Sequence, residues 1–208
     1  HYLFFTIIGM ITSYMDFLTY PIASLGIILL LVLIKEKLPF QEAIKRILVC
    51  GICWAFGYGI MWASKWMLAA VITGKDVIKN ALDQAVYRTS DYTWDPNKKI
   101  TRISAIREAL GAYETGSVIK IIAFNFVIAI SIFIYNCLGT KKDSFNALLK
   151  RSLNYLPILG LSFIPFVWYL VLANHSLIHT FFSFRTALVL WFAINAYIFA
   201  VFVKREEK

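Results

Sequence analysis

The chain has 208 residues, of which 60% are hydrophobic and only 16% charged, with a formal net charge of +9. Soluble domains carry about 25% charged residues, and the apolar residues here arrive in blocks of roughly span length. The composition therefore excludes an ordinary water-soluble enzyme and predicts an all-α, polytopic transmembrane helix bundle. The positive charge points away from nucleic acid as a partner and toward membrane lipids. Its lysines and arginines sit mainly at the ends of apolar runs, where orientation signals and anionic headgroups place them.

Six spans are predicted, at about Tyr2–Tyr14, Pro21–Ile34, Ile47–Ile72, Val118–Leu138, Leu153–Ala173 and Thr186–Val203. The first reaches roughly 20 Å as a helix, short of a hydrocarbon core about 30 Å thick. The chain is therefore expected to be the C-terminal portion of a larger protein, forming a single transmembrane domain over 1–208. Short basic loops follow the second, fourth and sixth spans. They carry Lys35, Lys37, Lys45 and Arg46, then Lys141, Lys142, Lys150 and Arg151, then Lys204, Arg205 and Lys208. These loops alternate onto one face, which the positive-inside rule makes cytoplasmic.

The opposite face receives Asp16, a long segment over 73–117, and the stretch Asn174–Arg185. Asp16 lies in Tyr14-Met15-Asp16-Phe17-Leu18-Thr19-Tyr20-Pro21 at the outer interface, where an acid either faces a pocket or serves as a helix-cap or turn acid. The third span carries Gly51, Ala55, Gly59 and Ala63 at four-residue spacing. Such a row lets another helix approach closely and offers a seam for a membrane-protein partner. Trp54, Trp62 and Trp66 occupy another face of that span. Lys65 follows Arg46 by roughly 28 Å of helical rise, so it either snorkels to the outer headgroups or points inward as a phosphate-binding cation.

The 73–117 segment is expected to form an extracytoplasmic insertion of two amphipathic helices on the membrane surface. One stripe runs through Val77, Ile78, Ala81, Leu82, Ala85 and Val86, the other through Ile103, Ile106, Leu110 and Tyr113. A polar connection with Trp94 and Pro96 joins them. These helices either cover the bundle or form a lid over an acceptor site. Pro157 and Pro165 can kink the fifth span. Asn125 and Asn195 read as interhelical glue, and Cys50, Cys53 and Cys137 as small packing residues within apolar runs.

Two of the three histidines, His175 and His179, sit at i, i+4 and share a face if helical. Zinc would need a third and usually a fourth ligand, so hydrogen bonding or proton transfer is the expected role. No metal or cofactor is called for. Arg185 can fork onto a phosphate or carboxylate, or anchor its helix in the headgroups. Phe181, Phe182 and Phe184 fit a lipid-lined site and an interfacial aromatic belt equally well.

The segments Tyr14–Pro21 (YMDFLTYP), Gly57–Trp66 (GYGIMWASKW) and Asn174–Arg185 (NHSLIHTFFSFR) look like stretches from large polytopic bacterial cell-surface glycan proteins. The topology resembles the GT-C class of integral-membrane glycosyltransferases. That resemblance implies a multi-pass protein of the bacterial cytoplasmic (inner) membrane. It implies sugar transfer at the extracytoplasmic face from a polyprenyl-phosphate carrier to a cell-envelope acceptor. The class holds its usual catalytic acid in the first external loop of an N-terminal module, which is expected upstream of His1.

The expected catalytic groups are Asp16 as the carboxylate with His175 and His179. The expected substrate-binding groups are Lys65, Trp66 and Arg185. Two rival functions remain open: a transporter or flippase for a lipid-linked or anionic solute, and a non-catalytic membrane subunit.

Overall fold

The computed structural model describes residues 1–16, 18–90, 101–113, 117–139 and 145–202. Among them the protein is helical, with no strand. Helices α1 (Tyr2–Met15), α2 (Ile22–Glu36) and α3 (Phe40–Thr73) come first. The amphipathic α4 (Val77–Thr89) and α5 (Arg102–Gly111) follow, then α6 (Ser117–Gly139) and α7 (Phe145–Gly160). A 3₁₀ turn, Leu161–Phe163, leads into α8 (Ile164–Val171), α9 (Ala173–Ile178) and α10 (Thr180–Ser183). A second 3₁₀ turn, Phe184–Ala187, leads into α11 (Leu188–Phe202). Three helical stretches, Phe40–Thr73, Asn146–Val171 and Thr180–Phe202, are long and apolar enough to cross a membrane. Tyr2–Met15 and Ile122–Ile132 are shorter apolar helices. Lys141, Lys142, Lys204, Arg205 and Lys208, with Trp94 and Pro96 of the polar connection, lie outside the described residues.

The core forms where α1, α2, α3, α7 and α11 meet, around Phe5, Leu25, Leu29, Leu33, Cys50, Trp54, Ile158, Val189 and Ala193. The closest approach in that core is glycine-made. A Cβ on Gly9 would strike the Trp54 carbonyl and lie 2.9 Å from the Tyr58 nitrogen; a Cβ on Gly57 would strike the Thr6 carbonyl. Backbones this near leave no room for a side chain, so α1 lies directly on α3.

The regular row of Gly51, Ala55, Gly59 and Ala63 is not where this contact forms. Ala55, Gly59 and Ala63 are exposed and Gly51 half-buried, and a Cβ on Gly51 or Gly59 would meet nothing within 4 Å. The four-residue spacing makes a smooth face, but this chain's own helices pack on the neighbouring face. Asn195 differs from expectation: its amide donates to the Trp191 carbonyl of its own helix, at 2.8 Å.

The first 3₁₀ turn has a local cause. Pro157 and Pro165 supply no N–H, so the helix they interrupt tightens at Leu161–Phe163 before α8 restarts with proline in its first turn. The amphipathic helices are capped by their sequence. Asp76 accepts from the Lys79 N–H, and Thr101 and Ser104 form a reciprocal capping box. At the α3 C-terminus Gly74 takes the left-handed conformation (φ 62°), which turns the chain into α4.

Opposite ends of α1–α3 carry different chemistry. At one end Arg46 pairs with Glu36 at 3.0 Å, and the Phe40 N–H donates to Asn154 Oδ1 at 3.2 Å. The other end carries the Asp16 turn and Lys65, and the candidate site is built there.

Candidate functional site

Helix α1 ends at Met15, and Asp16 begins the turn into α2. Its Oδ1 accepts from the Thr19 N–H at 3.0 Å and from the Thr19 hydroxyl, a side-chain-closed turn. Of the roles the sequence left open, this is the turn acid. Only one oxygen is used, however. Among the described residues Oδ2 is buried without a hydrogen-bond partner, and so is the Tyr58 hydroxyl, close enough to feel the Asp16 charge.

The turn forces Leu18 to φ 64°, a left-handed conformation that a branched aliphatic residue rarely adopts. What offsets that strain is a long-range bond. The Leu18 carbonyl accepts from His175 Nε2 at 2.8 Å, from 157 positions further along the chain.

His175 stands on α9 and is 2% exposed. Its other nitrogen, Nδ1, lies 2.5 Å from Arg88 Nη1, and the same Nη1 lies 3.2 Å from His179 Nε2. The roles follow from stoichiometry. Nε2 of His175 must carry the proton it gives to Leu18, so its Nδ1 is a lone pair. Arg88 Nη1 has two protons, one for each imidazole. Both histidines are therefore neutral acceptors around a guanidinium from α4.

The electrostatics agree. Burial, then the Arg88 charge and His179, lower the His175 pKa to about 4, with only the Leu18 carbonyl working the other way. His179 is lowered as well, by burial and then Arg88. Its ring stacks on Phe182 at 5.1 Å, and the two imidazole centroids are 4.8 Å apart.

A buried polar floor supports the pair. Ser183 Oγ donates to the Ser176 carbonyl at 2.9 Å. The 3₁₀ turn at Phe184–Ala187 leaves carbonyls outside the α-helical ladder. Tyr113 donates to the Phe184 carbonyl at 2.8 Å and Tyr169 to the Ser183 carbonyl at 3.2 Å. Burial pushes the Tyr113 hydroxyl up to about 12, so it remains a donor throughout the neutral range.

The other expected residues divide. Lys65 Nζ donates to the Ser13 carbonyl at 2.6 Å, at the negative end of the α1 dipole, and lies 5.4 Å from the centre of the Tyr14 ring. It neither snorkels free nor points at the histidines, but it does sit at the same end of α1 as Asp16. Trp66 ends an aromatic ladder up α3, with its ring 5.2 Å from Trp62. Arg185 is exposed and folds over its neighbour Phe184 at 5.8 Å, apart from the histidine pair.

The cation the histidines meet is instead Arg88, which sequence reasoning missed. It is the last charge on an amphipathic helix, 87 residues before His175, and nothing in its local spacing marks it. Among the described residues no group of three or more His, Cys, Asp or Glu side chains converges.

These features define an α-helical protein with helices long and apolar enough to cross a membrane, in which Arg88 joins the two histidines and His175 in turn holds the Asp16 turn. No family model, curated protein or solved structure matches the chain.

Proposed function

We propose that this is an integral-membrane transferase of the bacterial cytoplasmic membrane. It moves a sugar from a polyprenyl-phosphate-linked donor to a cell-envelope acceptor at the extracytoplasmic face. In this reading six segments cross the bilayer, and α4 and α5 lie on its outer surface. The observation that carries the reading is the convergence at one end of α1: a carboxylate with one uncommitted oxygen, a turn locked to His175, and the cations Arg88 and Lys65.

Those groups match what the reaction needs. The acceptor hydroxyl attacks the anomeric carbon and loses its proton to Asp16. The bond from that carbon to the lipid phosphate oxygen breaks, and the charge left on the phosphate is held by cations at a water-poor interface. Arg88 takes the role first expected of Arg185. His175 and His179 serve as its neutral supports, in place of the direct catalytic role expected of them.

The test is sugar transfer in membranes supplied with labelled polyprenyl-phosphate sugar. Asp16→Asn and Arg88→Gln are each expected to lower the rate by about a hundredfold or more, with Arg185→Gln within a few-fold of wild type. Full activity in both of the first two variants would sink the reading.

A second reading has an observation of its own. The chain from α8 to α11 is broken at two places and lines the breaks with buried polar groups, as discontinuous transporter helices do. Movement of a lipid-linked or anionic solute across proteoliposomes without any chemical product would favour it.

A further inference from the structure

The Arg88 clasp depends on the protonation of its partners, and it ties α4 to the histidine stretch. Helix α4 has no buried residue of its own. Its apolar stripe, Ile78, Leu82 and Val86, is exposed. It hangs from α3 through the left-handed Gly74, where an added Cβ would meet nothing. At its far end the contact with the histidine stretch is Arg88 Nη1 set between two ring nitrogens at 2.5 and 3.2 Å.

We propose that α4 is an acid-released latch, closed by Arg88 on neutral His175 and His179 and opened when either imidazole takes a proton. A proton on His175 Nδ1 or His179 Nε2 replaces the lone pair Arg88 donates to with an N–H. It also sets a second positive charge against the guanidinium. The two arms of His175 behave differently. Nε2 keeps its proton in both states, so the bond to the Leu18 carbonyl survives. Acid therefore frees α4 and uncovers the histidine pair while the Asp16 turn stays docked.

The groups acting on the rings are few. Arg88 acts on both and His179 acts on His175. The charged and titratable groups of the neighbouring elements do not act on either ring: Asp16 and Tyr20 of the turn, Arg102, Arg107 and Glu108 of α5, and Tyr169 of α8. Among the described residues no carboxylate acts on either ring.

The sign follows from linkage. The closed state holds both histidines below their ordinary pKa of 6.5. Closure is therefore complete above that pH and weakens as the pH falls toward about 4, by up to about tenfold per pH unit for each histidine. His179, the less buried of the two, takes its proton first.

The experiment is a spin-label distance between Leu82→Cys on α4 and Val167→Cys on α8, both exposed positions, in the full chain in nanodiscs with its native cysteines replaced by alanine. One short distance is expected at pH 7.5, with a longer population growing reversibly below pH 6.5. His179→Gln keeps an acceptor but cannot titrate, so its longer population should appear only at lower pH. Arg88→Gln should show the longer population already at pH 7.5. A wild-type distance unchanged down to pH 4.5 overturns the latch. So does an opening pH that His179→Gln leaves unmoved, or an Arg88→Gln distance that matches wild type at every pH.

Discussion

His175 is the residue on which the most depends, because each ring nitrogen fixes a different part of the chain. One holds a strained turn and the other holds α4. Replacing it with alanine orphans the Leu18 carbonyl and the Arg88 proton and leaves a cavity. A loss of about 2–4 kcal/mol is expected, read as a lower midpoint in denaturant unfolding followed by tryptophan fluorescence. His175→Asn, which restores an acceptor near the Nδ1 position, should recover part of that loss. Arg185→Gln should stay within about 0.5 kcal/mol of wild type, because the guanidinium is exposed and rests on its neighbour Phe184. Equal losses at 175 and 185 would remove the distinction drawn between them. The sequence marks both residues equally, as polar groups among phenylalanines. What separates them is a partner 87 or 157 positions away, and no local pattern encodes such a partner.

At the scale of elements the sequence was more informative, for a physical reason. Apolar blocks and amphipathic stripes are local properties, so the helices of the expected spans and of α4 and α5 could be read from periodicity alone. Which face of a helix meets which neighbour is not local. Gly51, Ala55, Gly59 and Ala63 make the most regular small-residue row in α3, yet α1 sits on Gly57. The reason is Gly9, 48 residues upstream, whose own lack of a side chain lets two backbones touch. Gly57→Ala or Gly9→Ala should push α1 off α3 and cost about 1–3 kcal/mol. Gly59→Ala, with nothing near its added Cβ, should be neutral or stabilising by up to about 1 kcal/mol. Thermal unfolding of the three variants in one detergent decides the ranking. If the open row serves another membrane protein, Gly59→Leu should leave this chain's own unfolding unchanged and abolish its cross-linking to that partner.

For the whole molecule the question is how its length meets the bilayer. The 34 residues of α3 span about 51 Å, against a hydrocarbon core of about 30 Å. Tilt absorbs only part of that excess. Its N-terminal end is fixed by the Arg46–Glu36 pair, so the surplus falls beyond Lys65. Polar residues would be expected there if α3 simply rose into water. The residues found are Met67, Leu68, Val71 and Ile72, each more than 60% exposed. Helix α4 then continues the same apolar surface through Ile78, Leu82 and Val86, with Lys79 and Asp83 between them. An apolar surface that long is stable only against lipid or another protein. The turn at Gly74 leads into an α4 with one polar and one apolar face, the pattern of a helix at the headgroup boundary. Spin labels at Val71, Leu82 and Val86 should then be relaxed by oxygen and shielded from a water-soluble nickel complex, with labels at Lys79 and Asp83 showing the reverse. Nickel access at all five positions would stand α4 in water and remove the surface-helix reading. The lipid profile would mean that the helix clasped by Arg88 rests on the bilayer, so that release of the clasp moves it along a surface that already holds it.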